Sequence, residues 1–183
     1  VLESYMPDYV FVHGDTTTSM AASIASFYSG AKVCHVEAGL RTFNKKSPFP
    51  EEMNRQITAR IADYHFAPTN TSKQNLIAEG VADHSILVTG NTVIDSLKYS
   101  VTKIKSLKTG EILELERLID PKKKLILVTG HRRENHGSGF ERICSALLRI
   151  VQQNMNVEVI YPVHLNPKVK NTVYKLLGKE KNI

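Results

Sequence analysis

The sequence has little cysteine and no apolar run long enough to span a membrane. Its two cysteines, Cys34 in an apolar run and Cys144 in a helical pattern, are not at metal-ligand spacing. Two thiols in such surroundings argue against a disulfide framework and suggest a reducing compartment, so we expect a cytoplasmic location. A membrane helix needs about 20 consecutive apolar residues, and no stretch approaches that length. We therefore expect no membrane partner.

Two familiar phosphate-binding motifs are also missing. Neither GxGxxG nor GxxxxGK[ST] occurs, and the seven histidines do not show metal spacing. Nicotinamide-dependent chemistry and P-loop chemistry therefore lack their usual sequence support. We expect a protein without a cofactor and without a metal ion.

The net charge of +6 and the isoelectric point near 9.3 suggest an anionic partner. The basic residues are scattered and are not interleaved with aromatic residues, so nucleic acid is not expected. The one compact basic run, "KKK" at 122–124, directly precedes an apolar run and is typical of a solvated edge. An anionic small molecule fits this distribution at least as well.

The length and the ends of the sequence suggest part of a longer protein. With 183 residues, 42% of them hydrophobic, the chain can bury a real core. It begins at Val1, enters the apolar run "YVFVHG" almost at once, and stops at "KEKNI" after a complete helical pattern. We therefore expect a fragment.

Short apolar, β-branched runs alternate with amphipathic segments along the whole chain. The predicted strands are 9–14, 31–38, 64–69, 85–90, 125–130 and 157–163. The predicted helices are 16–29, 51–62, 71–79, 92–105, 138–154 and 167–177. Strands with little polar alternation, separated by helices, predict a parallel sheet that is covered on both faces, which is a doubly wound α/β arrangement. The segment from Asn91 to Lys124 holds a helix, a polar patch and a second helical pattern, and we interpret it as a crossover between two such units.

Polar side chains follow the predicted strands at the points where the strands end. They are Asp15, Glu37, His131 and His164, and a helix start in "PFPEEMNRQ" adds Glu51, Glu52 and Arg55. Side chains at the carboxyl ends of neighbouring parallel strands converge on one crevice. The sequence therefore predicts a site at this edge.

Each of these residues also has a purely structural interpretation. Asp15 could cap the helix that follows it. Glu37 could form an ion pair with Arg41, and Glu51 could merely complement the positive end of a helix. The basic stretch "HRREN" at 131–135 could be a solvated loop, although arginines and a helix N-terminus also suit phosphate. Taken together, three carboxylates and a His–Arg–Arg cluster favour proton transfer on a substrate that carries phosphate.

Six motifs, in order, carry a family resemblance. They are "VHGDTTTS", "HVEAGLRT", "PFPEEMNRQ", "GNTVID", "VTGHRREN" and "YPVHLNP". Together they resemble the UDP-N-acetylglucosamine 2-epimerases, in particular the bacterial non-hydrolysing type, over essentially the whole chain. Proteins of that family are about twice as long, and the resemblance implies two Rossmann-like domains facing a cleft, as in GT-B glycosyltransferases. Residues 1–92 would then be the later part of the N-terminal domain, 93–123 linker helices, and 124–183 the first part of the nucleotide-sugar-binding domain.

The resemblance implies reversible epimerisation of UDP-GlcNAc to UDP-ManNAc through elimination of UDP and its re-addition, in cell-envelope polysaccharide biosynthesis. Asp15, Glu37 and Glu51 match the family's acid and base positions, with individual roles open, and His131 would contact the departing diphosphate. Substrate or effector contacts would come from Arg55, Arg132 and His164. UDP-GlcNAc would also be an allosteric effector, and the full-length protein would be a homodimer.

Three other functions compete with this one. A hydrolysing epimerase would release UDP and free ManNAc irreversibly, a GT-B glycosyltransferase would use a sugar acceptor, and a nucleotide-sugar sensing module would bind without turnover. We expect the 183-residue chain to fold at least partly and to turn over UDP-GlcNAc negligibly, because half of the implied cleft is missing.

Overall fold

The structure, a computed structural model, describes residues 2–130 and 138–183. The chain divides into two compact units, Val1–Val101 and Thr102–Ile183, and the division falls within the crossover segment. Every predicted strand and helix is present as an element of the predicted type. The domain boundaries expected at 92/93 and 123/124 stay a prediction.

The first unit contains a four-stranded parallel sheet. Its strands are β1 (Tyr9–His13), β2 (Lys32–Val36), β3 (Tyr64–Ala67) and β4 (Ile86–Val88), paired in the order β1-β2-β3-β4. Its helices are α1 (Leu2–Tyr5), α2 (Thr17–Tyr28), α3 (Glu51–Ile61), α4 (Asn70–Ala78) and the start of α5 (Thr92–Ser106), with a short 3-10 helix at Asp83–Ser85. Helix α1 was not predicted from the sequence. Because all strands are parallel, their carboxyl ends lie at one edge; His13 pairs with Val36, and Val36 pairs with Phe66.

The strands of this sheet are shorter than predicted at their carboxyl ends. The backbone turns into the left-handed region at Gly14 (φ +71°), Glu37 (φ +68°) and Gly90 (φ +80°). A residue with positive φ leaves the extended conformation that a ladder needs, so each strand stops before it. The polar residues that the sequence placed in strand ends therefore lie in the loops beyond them.

One face of the first sheet is packed under helices. Val33, His65, Ala67 and Ile86 are buried on this face, where sequential right-handed crossovers bring α2, α3 and α4 to the same side. The opposite face leaves Phe11 65% exposed, and Tyr9 and Leu87 are exposed beside it. Helices were expected on both faces, and for the opposite face of this sheet that stays a prediction.

Helix α2 packs through small polar residues. Its buried positions are Ser19, Ser23 and Ser26, and the last two hydroxyls donate to backbone carbonyls one turn earlier, over 2.8 and 2.7 Å. These bonds satisfy the hydroxyls without partners outside the helix. Small side chains with internal bonds allow a close approach between α2 and its neighbours, and the hydroxyl of Ser19 donates to the carbonyl oxygen of His13, just before the loop, over 2.7 Å.

The second unit combines a two-stranded parallel sheet with helices. Its strands are β5 (Lys124–Leu127) and β6 (Val157–Ile160), and its helices are α6 (Gly110–Leu118), α7 (Ser138–Gln153) and α8 (Pro167–Leu177). The apolar stripe of α7 and that of α8 meet in one buried core: Phe140, Cys144, Leu147, Val151, Val159, Val169, Val173 and Leu177. The spacing of three and four residues is the one that places side chains on a single helix face.

No helix in the described parts of the chain is both long and apolar enough to cross a bilayer.

Candidate active site

Asp15 lies in the loop between β1 and α2, and it does not cap the helix. The cap is Thr16, whose hydroxyl oxygen accepts a hydrogen bond from the backbone N–H of Ser19 over 3.1 Å. The carboxylate of Asp15 instead faces Arg55, which donates a hydrogen bond from Nε to Oδ2 over 2.9 Å and forms an ion pair in which Nη2 lies 2.7 Å from Oδ2. Asn54 donates to the backbone carbonyl of Asp15 over 2.8 Å. The capping interpretation is therefore wrong, and the carboxylate, 27% exposed, stays accessible.

Glu37 follows β2 and does not form the ion pair considered from the sequence. Arg41 donates to Glu79 over 2.6 and 2.8 Å, and its side chain is fully buried in that pair. The carboxylate of Glu37 lies 3.6 Å from Nε2 of His13 and accepts a hydrogen bond from Nδ2 of Asn91 over 3.2 Å. Its neighbours are thus two side chains at the ends of β1 and β4.

The backbone of Glu37 is strained. A residue other than glycine in the left-handed region costs roughly 1–2 kcal/mol. Such strain persists where the surrounding structure fixes it, and it is concentrated at functional sites. With its side chain 30% exposed, Glu37 is held at the edge of the sheet with an accessible carboxylate.

Glu51 is the first residue of α3. One of its oxygens, Oε2, is buried and has no hydrogen-bond partner among the described residues. The positive end of α3 stabilises an acidic side chain in this position, as the structural interpretation has it. The helix end does not, however, provide a partner for the buried oxygen, and such oxygens in native proteins nearly always have one. A bound molecule with a hydrogen to donate would supply it.

Glu52, next to Glu51, is a fully buried carboxylate that connects several parts of the site. Burial alone would raise the pKa of Glu52, but hydrogen bonds from the backbone N–H of Thr42 and from Gln56 and Arg55 outweigh it and hold the pKa below its usual range. Glu52 is therefore ionised. The sequence indicated Glu52 only as part of a helix start. His13 and Asn91 lie in the quoted motifs, but nothing else in the sequence indicated that they contact Glu37.

Two neutral imidazoles lie beneath the site. Nε2 of His35 is 2.9 Å from the carbonyl oxygen of Gly14, in the turn that carries Asp15. His65, its neighbour on β3, is also buried. Burial lowers the pKa of His35, and burial together with the nearby His35 lowers the pKa of His65 to about 4. These residues support the site as uncharged groups.

The remaining predicted site residues lie outside the first unit. His164 follows β6 in the second unit, where it is exposed and its Nδ1 accepts a hydrogen bond from the backbone of Asn166 over 3.1 Å. His131 and Arg132 lie outside the described residues. In residues 2–130 and 138–183, no three His, Cys, Asp or Glu side chains are grouped so that they could hold a metal ion.

The described part of the site thus contains carboxylates in three different surroundings. Asp15 is bound by a cation, Glu37 lies beside an imidazole and an amide, and Glu51 has an unpartnered buried oxygen. General acid–base catalysis needs one group that takes a proton and another that gives one, and the site contains carboxylates for both. The arrangement suits a reaction with one proton removed and one returned.

Comparison with known proteins gives a consistent result. Residues 1–183 match the family model for UDP-N-acetylglucosamine 2-epimerase. UDP-N-acetylglucosamine 2-epimerases from Escherichia coli O157:H7 and Campylobacter jejuni are 52% and 50% identical over the whole chain, which spans about half of their length (49% of each).

Solved structures agree with the sequence comparison. The UDP-GlcNAc 2-epimerase from Neisseria meningitidis, bound to UDP-GlcNAc, superimposes with a TM-score of 0.93 at 45% identity, over 99% of this chain and 49% of that one. The enzyme from Methanocaldococcus jannaschii, in complex with UDP-GlcNAc and UDP, gives a TM-score of 0.78 at 30% identity, over 100% and 50% of the two chains. Because the family model covers the entire chain, this protein belongs to the UDP-N-acetylglucosamine 2-epimerase family.

Proposed function

We propose that the full-length protein containing this chain interconverts UDP-GlcNAc and UDP-ManNAc reversibly at C2. The observation that supports the proposal is that Asp15 and Glu37 follow neighbouring parallel strands and Glu51 begins the helix after the second strand, with its buried Oε2 unpartnered among the described residues. Relatives with the same fold are epimerases, and the Neisseria meningitidis enzyme binds UDP-GlcNAc. A sugar hydroxyl or amide would give the buried oxygen of Glu51 the donor it lacks.

The reaction needs a base and an acid on opposite faces of the sugar. A carboxylate takes the C2 proton while the C1–O bond breaks and UDP leaves with the bonding electrons, giving 2-acetamidoglucal. UDP then adds back to C1, and a second carboxylic acid delivers a proton to C2 from the other face. The overall reaction is redox-neutral, and the three carboxylates in different surroundings provide groups for both proton transfers.

The departing diphosphate needs positive charge or hydrogen-bond donors. From the family resemblance we assign this part to His131, assisted by Arg132, both of which lie outside the described residues. Donors aimed at charge that develops in the transition state lower the barrier by a few kcal/mol each. His164 and Arg132 are also our candidates for contacts with a second UDP-GlcNAc that acts as effector.

Hydrogen exchange tests the proposal most directly. The full-length protein is incubated with UDP-GlcNAc in deuterated water, and we expect deuterium at C2 together with UDP-ManNAc. Incubation with UDP-ManNAc should give UDP-GlcNAc, which distinguishes the reversible reaction from a hydrolysing epimerase that releases free ManNAc. Binding of UDP-GlcNAc without exchange at C2 would contradict the proposal and favour a sensing module.

A further inference from the structure

Glu52 is a fully buried acidic side chain near the site, and both of its carboxylate oxygens accept hydrogen bonds from described residues. Its side chain is 0% exposed. Oε2 accepts hydrogen bonds from the backbone N–H of Thr42 over 3.0 Å and from Nη1 of Arg55 over 3.2 Å, and Oε1 accepts from the backbone N–H of Phe43 over 3.2 Å and from Nε2 of Gln56 over 3.1 Å. Burying a carboxylate is expensive unless it is bonded in this way. A buried carboxylate with this many hydrogen bonds points to a role other than packing.

Arg55 links Glu52 to the candidate catalytic Asp15. Its planar guanidinium donates from Nη1 to Glu52 and from Nε to Oδ2 of Asp15, and its Nη2 lies 2.7 Å from the same Oδ2. The fork is rigid, so fixing one side of it fixes the direction of the other. The donors from the described residues all reach Oδ2, and Oδ1 of Asp15 receives none of them.

Glu52 also connects this fork to the loop beyond Glu37. Two consecutive backbone N–H groups of that loop, at Thr42 and Phe43, point at its carboxylate, and Phe43 has a left-handed backbone (φ +59°). One buried anion thus joins the loop after β2, the first turn of α3 and, through Arg55, the loop after β1. These are the segments that carry Glu37, Glu51 and Asp15.

We propose that Glu52 is a positioning residue: it holds the Arg55 guanidinium in the orientation that presents Oδ1 of Asp15 to the reacting proton. The inference rests on the proposed function. Glu52 acts through Arg55 and touches no reacting atom.

The test uses the full-length protein with Glu52→Gln. The amide keeps the size of the side chain and removes the charge. We expect kcat to fall about 10- to 100-fold, the range for a modest misplacement of a reacting group, while KM changes little. We expect the pH profile of kcat to change as well, because the substitution removes a buried charge that contacts Arg55.

Glu79→Gln is the matched control. Glu79 is the partner of a buried arginine in the same unit, Arg41, and contacts none of the site carboxylates described here. Its loss should lower the melting temperature and leave kcat and the pH profile unchanged. If Glu52→Gln and Glu79→Gln behave alike at equal folded fraction, Glu52 is structural and the inference is wrong.

A second variant covers the case in which Glu52→Gln does not fold. Arg55→Lys keeps the positive charge in a partly accessible position and removes the fork that reaches both carboxylates. A fall in kcat with little change in KM supports the inference, whereas unchanged kcat, or a rise in KM alone, overturns it. Deuterium exchange at C2 by the unsubstituted protein is measured first, because its absence would refute the proposed function itself and not the role of Glu52.

Discussion

Arg55 holds a single oxygen of Asp15: its Nε donates a hydrogen bond to Oδ2 over 2.9 Å, and its Nη2 lies 2.7 Å from the same oxygen in an ion pair. The two residues are 40 positions apart, one after the first strand and one on the third helix. A guanidinium this close fixes the orientation of the carboxylate. The carboxylate of Asp15 is thus oriented for the proposed proton transfer, and a side chain of the same shape without the charge should not support it.

Asp15→Asn should separate activity from stability. We expect turnover of UDP-GlcNAc by the full-length protein to fall about 100- to 10,000-fold, as is typical for the loss of a general acid or base. The loss of one partner of Arg55 should lower the free energy of unfolding by about 1–3 kcal/mol. Steady-state kinetics and urea unfolding measure the two effects.

The control for this variant is Asp83→Asn. Asp83 is paired with Lys73 over 2.6 Å on the surface, with 70% of its side chain exposed. Such a pair contributes about 0–1 kcal/mol, and activity should be unaffected. If Asp15→Asn keeps wild-type turnover, Asp15 has only a structural role and another carboxylate takes the proton.

Glu51→Gln should remove activity with little change in stability. The buried Oε2 of Glu51 has no partner among the described residues, so replacing the acid by an amide breaks no described bond there. The favourable interaction with the helix end is worth about 0.3–1 kcal/mol, and this bounds the expected loss. Thermal unfolding and deuterium exchange at C2 are measured together. Unchanged exchange would show that the acid only complements the helix.

The residues of this site that follow strands could be predicted from the sequence, because polar residues stand there directly after apolar runs. Asp15 and Glu37 stand out against the runs that precede them, and the structure brings them to neighbouring strand ends. That signal is local. It depends only on the order of residues and on the parallel arrangement of the sheet.

The partners of these residues could not be predicted, because they are set by tertiary packing. Arg41 was paired with Glu37 in the sequence interpretation, four residues away, yet it binds Glu79, which lies 38 positions further along. Asp15 and Thr16 are both good capping residues, and the contact with Arg55 decides between them. The buried role of Glu52 was hidden for the same reason, since an acid in a first turn already has a local explanation.

Gly39→Ala should destabilise the first unit strongly. A Cβ at Gly39 would lie 2.2 Å from the carbonyl oxygen of Ser72, a backbone atom of α4, and the residue has φ +85°. We expect a loss of about 3–5 kcal/mol, in the range of the most damaging substitutions. Gly80→Ala is the control: its φ is +87° and nothing lies within 4 Å, so only the backbone strain of roughly 1–2 kcal/mol remains. Equal losses in urea unfolding would contradict the contact between the β2 loop and α4.

The buried histidines should make the first unit sensitive to mild acid. The pKa of His65 is lowered to about 4 by burial and by the nearby His35, and Arg41 lowers it further while Ala62 and Asp63 oppose the shift. The unfolded chain has the ordinary value near 6.5, so between these two values it binds more protons than the folded chain. The contribution of neutral His65 to the free energy of unfolding is therefore fully present above pH 6.5 and is lost as the pH decreases toward 4. From pH 7.5 to 5, His65 alone should contribute a loss of about 2 kcal/mol.

Urea unfolding of the 183-residue chain at pH 7.5 and at pH 5 measures this loss, and His65→Asn should reduce it. The substitution lowers stability at both pH values because it removes a buried side chain. The informative quantity is therefore the change in the free energy of unfolding between pH 7.5 and pH 5. His84→Asn serves as the control, since His84 is exposed in the 3-10 helix before β4. Its replacement should leave the difference unchanged. If His65→Asn and the unsubstituted chain lose equal stability between the two pH values, the acid sensitivity has another origin and the neutral imidazole beneath the site is not its cause.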